Sequence, residues 1–201
     1  MRQVRVAVLA SGEGTNLQAL LDRLDSGAGA RVTAVVSNRA DAGALERARR
    51  AGVRTAVLAD PTDAAALQTA LAESDLVVLA GYLKLVPAPV VARFRWRMIN
   101  IHPALLPDFG GAGMYGRRVH AAVLTSGATV SGATVHYVDE HYDRGPIIAQ
   151  ARVPVAPGDT PESLAARVLA AEHRLLPRVV TELARRGLPN EPIRLDDVEE
   201  T

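Results

Sequence analysis

Two side chains near the end of one apolar segment could carry out acid–base chemistry together. The segment INIHPALLP contains Asn100 and His102, which the alternation of a β-strand places on the same face. Pro103 favours an extended backbone at His102, so the strand is predicted to continue to that residue. An amide N–H can stabilise negative charge and an imidazole can move protons near neutral pH. The pair indicates a catalytic site, with a histidine buried only for packing as the alternative.

The polar segment DEHYDRG offers a third candidate, between two predicted strands. Asp143 is followed by Arg144, Gly145 and Pro146, and glycine and proline are typical of a tight turn. Such a turn could fix the Asp143 carboxylate and aim it at a neighbouring site. A solvated turn without a chemical role is the alternative.

A glycine-rich loop, SGEGTN at residues 11–16, follows the first apolar segment and precedes a helical pattern. Backbone N–H groups and a helix N-terminus at this position commonly bind a phosphate. The loop is not a P-loop, because it lacks the Gly-Lys-Ser/Thr ending. Leu17 stands where a dinucleotide-binding loop has its third glycine, and the second strand ends in Ser37 and Asn38 rather than an acid. The pattern favours a single phosphate, with a tight turn that needs glycine for its backbone angles as the alternative.

Composition excludes several other kinds of site. The 201 residues include no cysteine, and 23 Lys and Arg against 22 Asp and Glu leave a net charge of +1 without a basic stripe, so nucleic acid is not an expected partner. No apolar run approaches the roughly 18 residues that a membrane span needs, and the first residues do not resemble a signal peptide, so we expect a cytoplasmic protein with no membrane partner. No metal site is expected, because the other histidines lack ligand spacing: His120, His136, His141 and His173.

The elements that must position these residues alternate between strands and helices. This pattern predicts an α/β fold with a doubly wound, mostly parallel sheet flanked by helices, and an antiparallel pair of strands at the C-terminal end. Residues 1–187 are expected to form one domain, followed by a C-terminal tail at 188–201. Pro177 is expected to kink the last helix or to start a new one. Strands are predicted at 3–10, 31–38, 54–58, 75–82, 96–102, 128–138 and 145–155, and helices at 16–24, 41–52, after Pro61, at 117–127 and from Thr160.

Six segments together resemble the folate-dependent phosphoribosylglycinamide formyltransferases, in that family's order and near its spacing. They extend from about Val4 to about Gly187: VLASGEGTNLQAL, VVSNRADAGALERARRAGV, VVLAGYLKLV, INIHPALLP, SGATVHYVDEHYDRGPIIAQARVPV and DTPESLAARVLAAEH. The resemblance implies a Rossmann-like formyltransferase fold. It also implies formyl transfer from 10-formyltetrahydrofolate, as co-substrate, to the amine of glycinamide ribonucleotide in purine synthesis. Monomer and dimer both stay open as oligomeric states.

The resemblance assigns roles to the residues that match the family's motifs. It implies that Asn100, His102 and Asp143 are catalytic, with Asn100 and His102 stabilising the charged intermediate. Asp143 would then orient His102 and favour its charged form, with the pKa of His102 near its ordinary value. The implied substrate-binding residues are Gly12, Glu13, Gly14, Thr15 and Asn16 for the phosphate and Glu172 for the ribose. The implied folate-binding residues are Leu83, Lys84, Leu85 and Val86, together with Asn100.

Two departures from the family pattern leave contacts open. The segment DPTDAAAL near residue 63 lacks the basic residue that family members commonly have there. The loop at 108–116 is longer and richer in glycine than the common form, and we expect it to act as a mobile cover.

Related functions provide the alternatives to this assignment. A formyltetrahydrofolate hydrolase and a methionyl-tRNA formyltransferase would each be expected to carry a further domain. A module of the same fold that binds a phosphate ligand without catalysis is the third alternative.

Overall fold

Seven strands form one sheet in residues 3–24 and 29–197, which the computed structural model describes. The strands are β1 (Val4–Leu9), β2 (Ala30–Ser37), β3 (Arg54–Val57), β4 (Leu76–Leu79), β5 (Met98–His102), β6 (Val130–Tyr137) and β7 (Ile147–Pro154). The helices are α1 (Thr15–Leu24), α2 (Gly43–Arg50), α3 (Ala64–Ala70), α4 (Ala88–Arg93), α5 (Arg117–Thr125) and α6 (Pro161–Arg185).

The strand order is β3-β2-β1-β4-β5-β6-β7, which confirms the predicted fold class. The first five strands pair in parallel, whereas β6 is antiparallel to both β5 and β7. Strands β2 and β3 are added on one side of β1, whereas β4 and the later strands are added on its other side. The strand order therefore reverses at the neighbouring strands β1 and β4. Open α/β sheets bind ligands at the carboxyl ends of the strands beside such a reversal.

Helices cover both faces of the sheet. Val6 and Val8 of β1 belong to a core cluster shared with α1, α2 and α6, whereas Ala7 and Leu9 belong to a second cluster shared with α3 and α4. Residues of β1 are therefore buried whichever way their side chains point. This two-sided burial explains why β1 and β4 are apolar without alternation.

The predicted strands and helices all occur, but two helical details differ from expectation. Helix α4 was not predicted, because its six residues after Pro87 are too few to show a helical period. Of the two outcomes predicted for Pro177, a new helix is wrong, since α6 continues through it to Arg185, whereas a kink at this residue stays a prediction. Pro177 is buried between Leu176 and Val179, and packing of this face against the core compensates for the hydrogen bond that proline cannot donate.

The end of the described chain lies along β7. The Leu195 N–H donates to the carbonyl of Ile148 at 2.7 Å, and the Asp197 carboxylate accepts from the Gln150 N–H at 2.9 Å. These contacts occupy backbone groups at an edge of the sheet that would otherwise be open to another strand. The separation of domain and tail at residue 188 stays a prediction, and residues 198–201 lie outside the described residues.

Gly132 allows β6 and β7 to approach closely, and we expect Gly132→Ala to destabilise the fold. The added methyl group would lie 2.0 Å from the carbonyl oxygen of Ala151 and 2.7 Å from a methyl group of Leu105. The Ala151 carbonyl belongs to the paired strand and cannot retreat without disturbing the ladder. Overpacking of this kind typically costs about 1–3 kcal/mol, measurable as a lower free energy of unfolding in urea.

Ser131→Ala is the matched control for this prediction. Its hydroxyl is buried and has no hydrogen-bond partner among the residues described, so its removal should leave the free energy of unfolding unchanged or raise it. Equal stability of Gly132→Ala and the wild type would contradict the close approach of the two strands.

Candidate active site

A cavity of about 510 Å³ opens beside the carboxyl ends of β4 and β5. Its volume lies within the range of small-molecule sites in proteins. Four of the predicted site residues do not line this cavity: Gly12, Glu13, Gly14 and Thr15. The cavity brings together the other predicted site residues: Asn16, Leu83, Lys84, Leu85, Val86, Asn100, His102, Asp143 and Glu172.

Asn100 and His102 both face this cavity from β5, as the alternation predicted. His102 is buried, with 3% of its surface exposed. Its Nε2 lies 2.9 Å from the carbonyl oxygen of Phe109, and because a carbonyl can only accept, we assign a proton to Nε2. Its Nδ1 lies 3.5 Å from the Asp143 carboxylate, too far for a strong hydrogen bond. Asp143 therefore acts on His102 mainly through its charge.

The expectation that His102 has an ordinary pKa is wrong. Burial lowers the pKa of His102, and the nearby charge of Asp143 and the bond to the Phe109 carbonyl oppose this effect only in part. Burial prevails because a charged imidazole loses more hydration than a single carboxylate at 3.5 Å restores. His102 is therefore predominantly neutral at pH 7. A neutral imidazole can accept a proton, which the charged form cannot do.

Asp143 reaches the cavity from the turn between β6 and β7. Its backbone has a φ of 57°, and its side chain is only 10% exposed, so the solvated-turn alternative is wrong for this residue. The carboxylate accepts from the Gly111 N–H at 2.9 Å and from Asn100 Nδ2 at 3.3 Å. Burial raises the pKa of Asp143, but the contact with His136, the charge of His102 and the Gly111 N–H together hold it below its ordinary value. Asp143 is ionised at neutral pH.

His136 is a member of this site that sequence reasoning missed. It lies opposite Asn100 in the β5–β6 pairing, and its Nδ1 lies 2.7 Å from the carbonyl of Tyr137. The proton is therefore on Nδ1, and Nε2 accepts from Asn100 Nδ2 at 3.0 Å. The sequence shows a histidine in a strand, whereas the pairing of β6 against β5 identifies its partner. With His136 and Asp143 both accepting from it, the Asn100 amide is held in one orientation.

Glu172 approaches the cavity from the middle of α6. It is only 6% exposed, so an exposed helix carboxylate is excluded. Its Oε2 accepts from Asn16 Nδ2 at 2.7 Å, which connects α6 to the first turn of α1. Burial raises the pKa of Glu172 to about 7, although the Asn16 hydrogen bond acts in the opposite direction. The carboxyl group is therefore part protonated and part ionised at neutral pH.

The segment Leu83–Val86 forms an apolar wall of the cavity. Leu83 and Leu85 are each 46% exposed, although both are large apolar side chains, whereas Val86 is buried. The Leu83 N–H donates to the hydroxyl of Ser11, which fixes this wall against the start of the glycine-rich loop. Exposed leucines beside a cavity are typical of a surface that an apolar or aromatic ligand covers.

Two further properties of the described residues bear on the classes of ligand. Within residues 3–24 and 29–197, no group of three or more histidine, aspartate or glutamate side chains is arranged to hold a metal ion. None of the helices in this part of the chain is long and apolar enough to cross a membrane.

Comparison with known proteins gives consistent matches over most of the chain. The model of the formyl transferase family matches residues 4–180. The chloroplastic phosphoribosylglycinamide formyltransferase of Arabidopsis thaliana is 45% identical over 189 residues, covering 89% of this chain and 65% of that protein. The phosphoribosylglycinamide formyltransferase of Haemophilus influenzae is 38% identical over 185 residues, covering 88% of this chain and 85% of that protein.

Solved structures agree with these matches. The crystal structure of glycinamide ribonucleotide transformylase 1 from Symbiobacterium toebii has a TM-score of 0.87 and 46% identity, covering 96% of this chain and 93% of that one.

The chain spans 62% and 65% of the length of two plant relatives, from Vigna unguiculata and Arabidopsis thaliana.

Proposed function

The chain belongs to the formyl transferase family, and from this premise we propose that it transfers a formyl group from 10-formyltetrahydrofolate to the amine of glycinamide ribonucleotide. One observation carries the proposal. A single cavity joins Asn100, His102 and Asp143 to an apolar wall at one side and to Asn16, at the end of the glycine-rich loop, at another. This arrangement suits a reaction between a phosphorylated amine and a formyl donor that carries aromatic rings.

The proposed reaction proceeds through a tetrahedral intermediate. The amine nitrogen of the ribonucleotide forms a bond to the formyl carbon, and the formyl oxygen takes up negative charge. At Nδ1, the ring nitrogen that has no proton of its own, neutral His102 accepts the proton that the amine loses. The bond from the formyl carbon to the folate nitrogen then breaks, and His102 returns the proton to that nitrogen. The low pKa of His102 favours this role, because an imidazole that is already charged has no free electron pair.

Asn100 is proposed to stabilise the charged oxygen. Its amide group donates to His136 at 3.0 Å and to Asp143 at 3.3 Å, and the longer of these bonds is the weaker one. An oxyanion could attract that second N–H away from Asp143, while His136 keeps the amide in place. Interactions that strengthen as charge develops lower the barrier, since they favour the transition state over the bound substrate.

The two substrates are proposed to occupy opposite ends of the cavity. Residues 12–16 would hold the phosphate at the start of α1, and Glu172 would accept hydrogen bonds from the ribose hydroxyls. The folate ring would cover the exposed Leu83 and Leu85. Small-molecule partners and a cytoplasmic location stay predictions, and the oligomeric state stays open.

A direct spectrophotometric assay tests this proposal and its alternatives. Purified protein is mixed with 10-formyltetrahydrofolate, and loss of the formyl group is followed by absorbance with and without glycinamide ribonucleotide. We expect formyl loss only with the ribonucleotide, together with an equal amount of formylated product by mass spectrometry. Formyl loss to water in both samples would favour the hydrolase, and ligand binding without turnover would favour the binding module.

Glu172→Gln is expected to stabilise the protein at alkaline pH. The pKa of Glu172 is about 7 in the folded protein, above the ordinary value of 4.5. The native state therefore binds more protons than the unfolded state between these values, and stability falls as pH rises through them. Removing the charge should add about 3 kcal/mol at pH 8, and this gain should vanish near pH 4.5. Thermal unfolding of both proteins across pH 4.5–8 measures the difference.

The same variant should also bind glycinamide ribonucleotide less tightly, because an amide accepts hydrogen bonds from hydroxyl groups more weakly than a carboxylate does. A stability difference that stays constant between pH 4.5 and 8 would contradict the raised pKa of Glu172.

A further inference from the structure

Two carbonyl groups of the glycine-rich loop accept hydrogen bonds from helix α2. The carbonyl of Gly12 accepts from the Ala44 N–H at 3.1 Å, and the carbonyl of Glu13 accepts from the guanidinium Nε of Arg47 at 2.7 Å. Both contacts come from one side of the loop, because Ala44 and Arg47 lie about one turn apart on α2. Two successive peptide groups of the loop are therefore turned with their oxygens toward α2.

The orientation of these carbonyls determines where the neighbouring N–H groups point. In a planar trans peptide the carbonyl oxygen and the amide hydrogen lie on opposite sides. The N–H groups of Glu13 and Gly14 are thus directed away from α2. Neither N–H has a hydrogen-bond partner among the residues that the structure describes. Two adjacent free N–H groups on one side of a loop, beside a helix N-terminus, form a concave site for an anion.

Arg47 also connects this loop to α1. Its Nη1 donates to the side-chain oxygen of Gln18 at 3.2 Å, and the Gln18 amide nitrogen donates in turn to Asp22 at 2.8 Å. The half-buried guanidinium therefore joins the loop, α1 and α2 through two acceptors at once. A planar guanidinium can serve two acceptors in fixed directions, which a lysine ammonium cannot do in the same way.

Close packing against α2 leaves the loop little room to adopt another backbone conformation. Gly14 has a φ of 75°, and a methyl group on it would lie 2.6 Å from the Cα of Ala44. A methyl group on Gly43 would lie 3.2 Å from both the Cα and the carbonyl oxygen of Glu13. The loop is thus seated against α2, and Arg47 is the side chain that fixes its central peptide.

We propose that Arg47 is a positioning residue for phosphate binding: it holds the Glu13 carbonyl so that the Gly14 N–H faces the substrate's phosphate. Arg47 acts through the loop and need not touch the substrate. The inference rests on the proposed function for the identity of the phosphate compound, whereas the anion site rests on the loop geometry alone.

Two substitutions at Arg47 and one matched control test this inference. Arg47→Met removes both hydrogen bonds but keeps a side chain of similar length. Arg47→Lys retains the positive charge but has one ammonium group in place of the planar guanidinium. Arg50→Met makes the same chemical change on the exposed side of α2, where Arg50 forms an ion pair with Glu46 at 3.6 Å and makes no other contact of this kind with the residues that the structure describes. The measured quantities are kcat and KM for glycinamide ribonucleotide and for glycinamide riboside, which has the same reacting amine but no phosphate.

We expect Arg47→Met to raise KM for the ribonucleotide about tenfold or more, with kcat little changed, since a lost charge-assisted hydrogen bond typically costs this much in affinity. With the riboside, Arg47→Met and the wild type should agree within about twofold, because there is no phosphate for the loop to bind. Arg47→Lys should lie between the two, and Arg50→Met should match the wild type. Equal losses with both substrates would indicate a general structural role and overturn the inference, as would no loss with either.

A binding measurement separates this inference from the proposed function. If the wild type does not transfer formyl groups, the proposed function fails, and ribose 5-phosphate titrated into each protein by calorimetry still tests the loop. Binding by the wild type and Arg50→Met, with about tenfold weaker binding by Arg47→Met, would support the positioning role. Equal binding by all three proteins, or no binding by the wild type, would overturn it. Circular dichroism and thermal unfolding establish that each variant is folded.

Discussion

His102→Ala is expected to lower turnover by a factor of about 10²–10⁴ while the protein stays folded. The reason is that His102 supplies the proton acceptor of the proposed reaction, and neither Asp143 nor His136 is suited to take its place. The nearby Asp143 is ionised and weakly basic, with a pKa held below its ordinary value. His136 uses its Nδ1 proton on the Tyr137 carbonyl and its Nε2 on Asn100, so both of its nitrogens are occupied.

The pH dependence gives a second test of His102. A proton acceptor must be neutral, and burial lowers the pKa of His102, so activity should persist below pH 6.5 before it falls at more acidic pH. Steady-state rates across pH 4.5–8 measure this profile in the wild type, and the acidic limb should disappear in His102→Ala.

His173→Ala is the matched control for His102, since it removes a half-buried histidine of α6 that does not line the cavity. It should retain near-normal turnover. Near-normal rates in His102→Ala itself would refute the assignment of the proton acceptor.

Asp143→Asn is expected to lower turnover by about 10²–10³, because the variant loses the negative charge that stabilises the His102 imidazole after it has accepted a proton. The carboxylate accepts hydrogen bonds at both oxygens, from the Gly111 N–H and from the Asn100 amide. An asparagine has only one oxygen, so its NH₂ group would face one of these donors. The substitution therefore disturbs the Asn100 amide as well as His102.

A shift in the pH profile distinguishes this effect from misfolding. The charge of Asp143 raises the pKa of His102 against the effect of burial. Without that charge the pKa of His102 should fall further, so the acidic limb of the residual activity should move to lower pH. Glu140→Gln is the control, because it neutralises an exposed carboxylate in the same turn outside the cavity. An unchanged rate and an unchanged acidic limb in Asp143→Asn would contradict its proposed role.

Much of the fold could be predicted because its signals are local. The alternation of apolar short runs and helical periods predicted the strands and the α/β class, and Thr160 and Pro161 predicted the start of α6. Thr160 and Ser163 form the reciprocal hydrogen bonds of a capping box there. The helix α4 was missed because six residues carry too little periodic signal. The local pattern left open whether α6 continues through Pro177, and burial of the surrounding apolar residues accounts for the continuation.

Part of the candidate site could also be predicted from local pattern. A two-residue spacing along a strand places Asn100 and His102 on the same face, whatever surrounds them. The position of a glycine-rich loop between strand and helix likewise indicates an anion site without further knowledge. Both predictions can be made locally, because strand alternation and the helix dipole depend only on neighbouring residues.

The sequence by itself therefore determined the elements other than α4 and placed Asn100 and His102 on one face, and it predicted an anion site at the opening loop. Only the tertiary structure decided that His136 lies opposite Asn100, that Glu172 is buried against Asn16, and that burial prevails over Asp143 in setting the pKa of His102. It also decided that Arg47 reaches the loop from a separate helix. These properties depend on strand register, on helix packing and on the loss of water around each group, which join residues far apart in the chain and leave no periodic pattern in it.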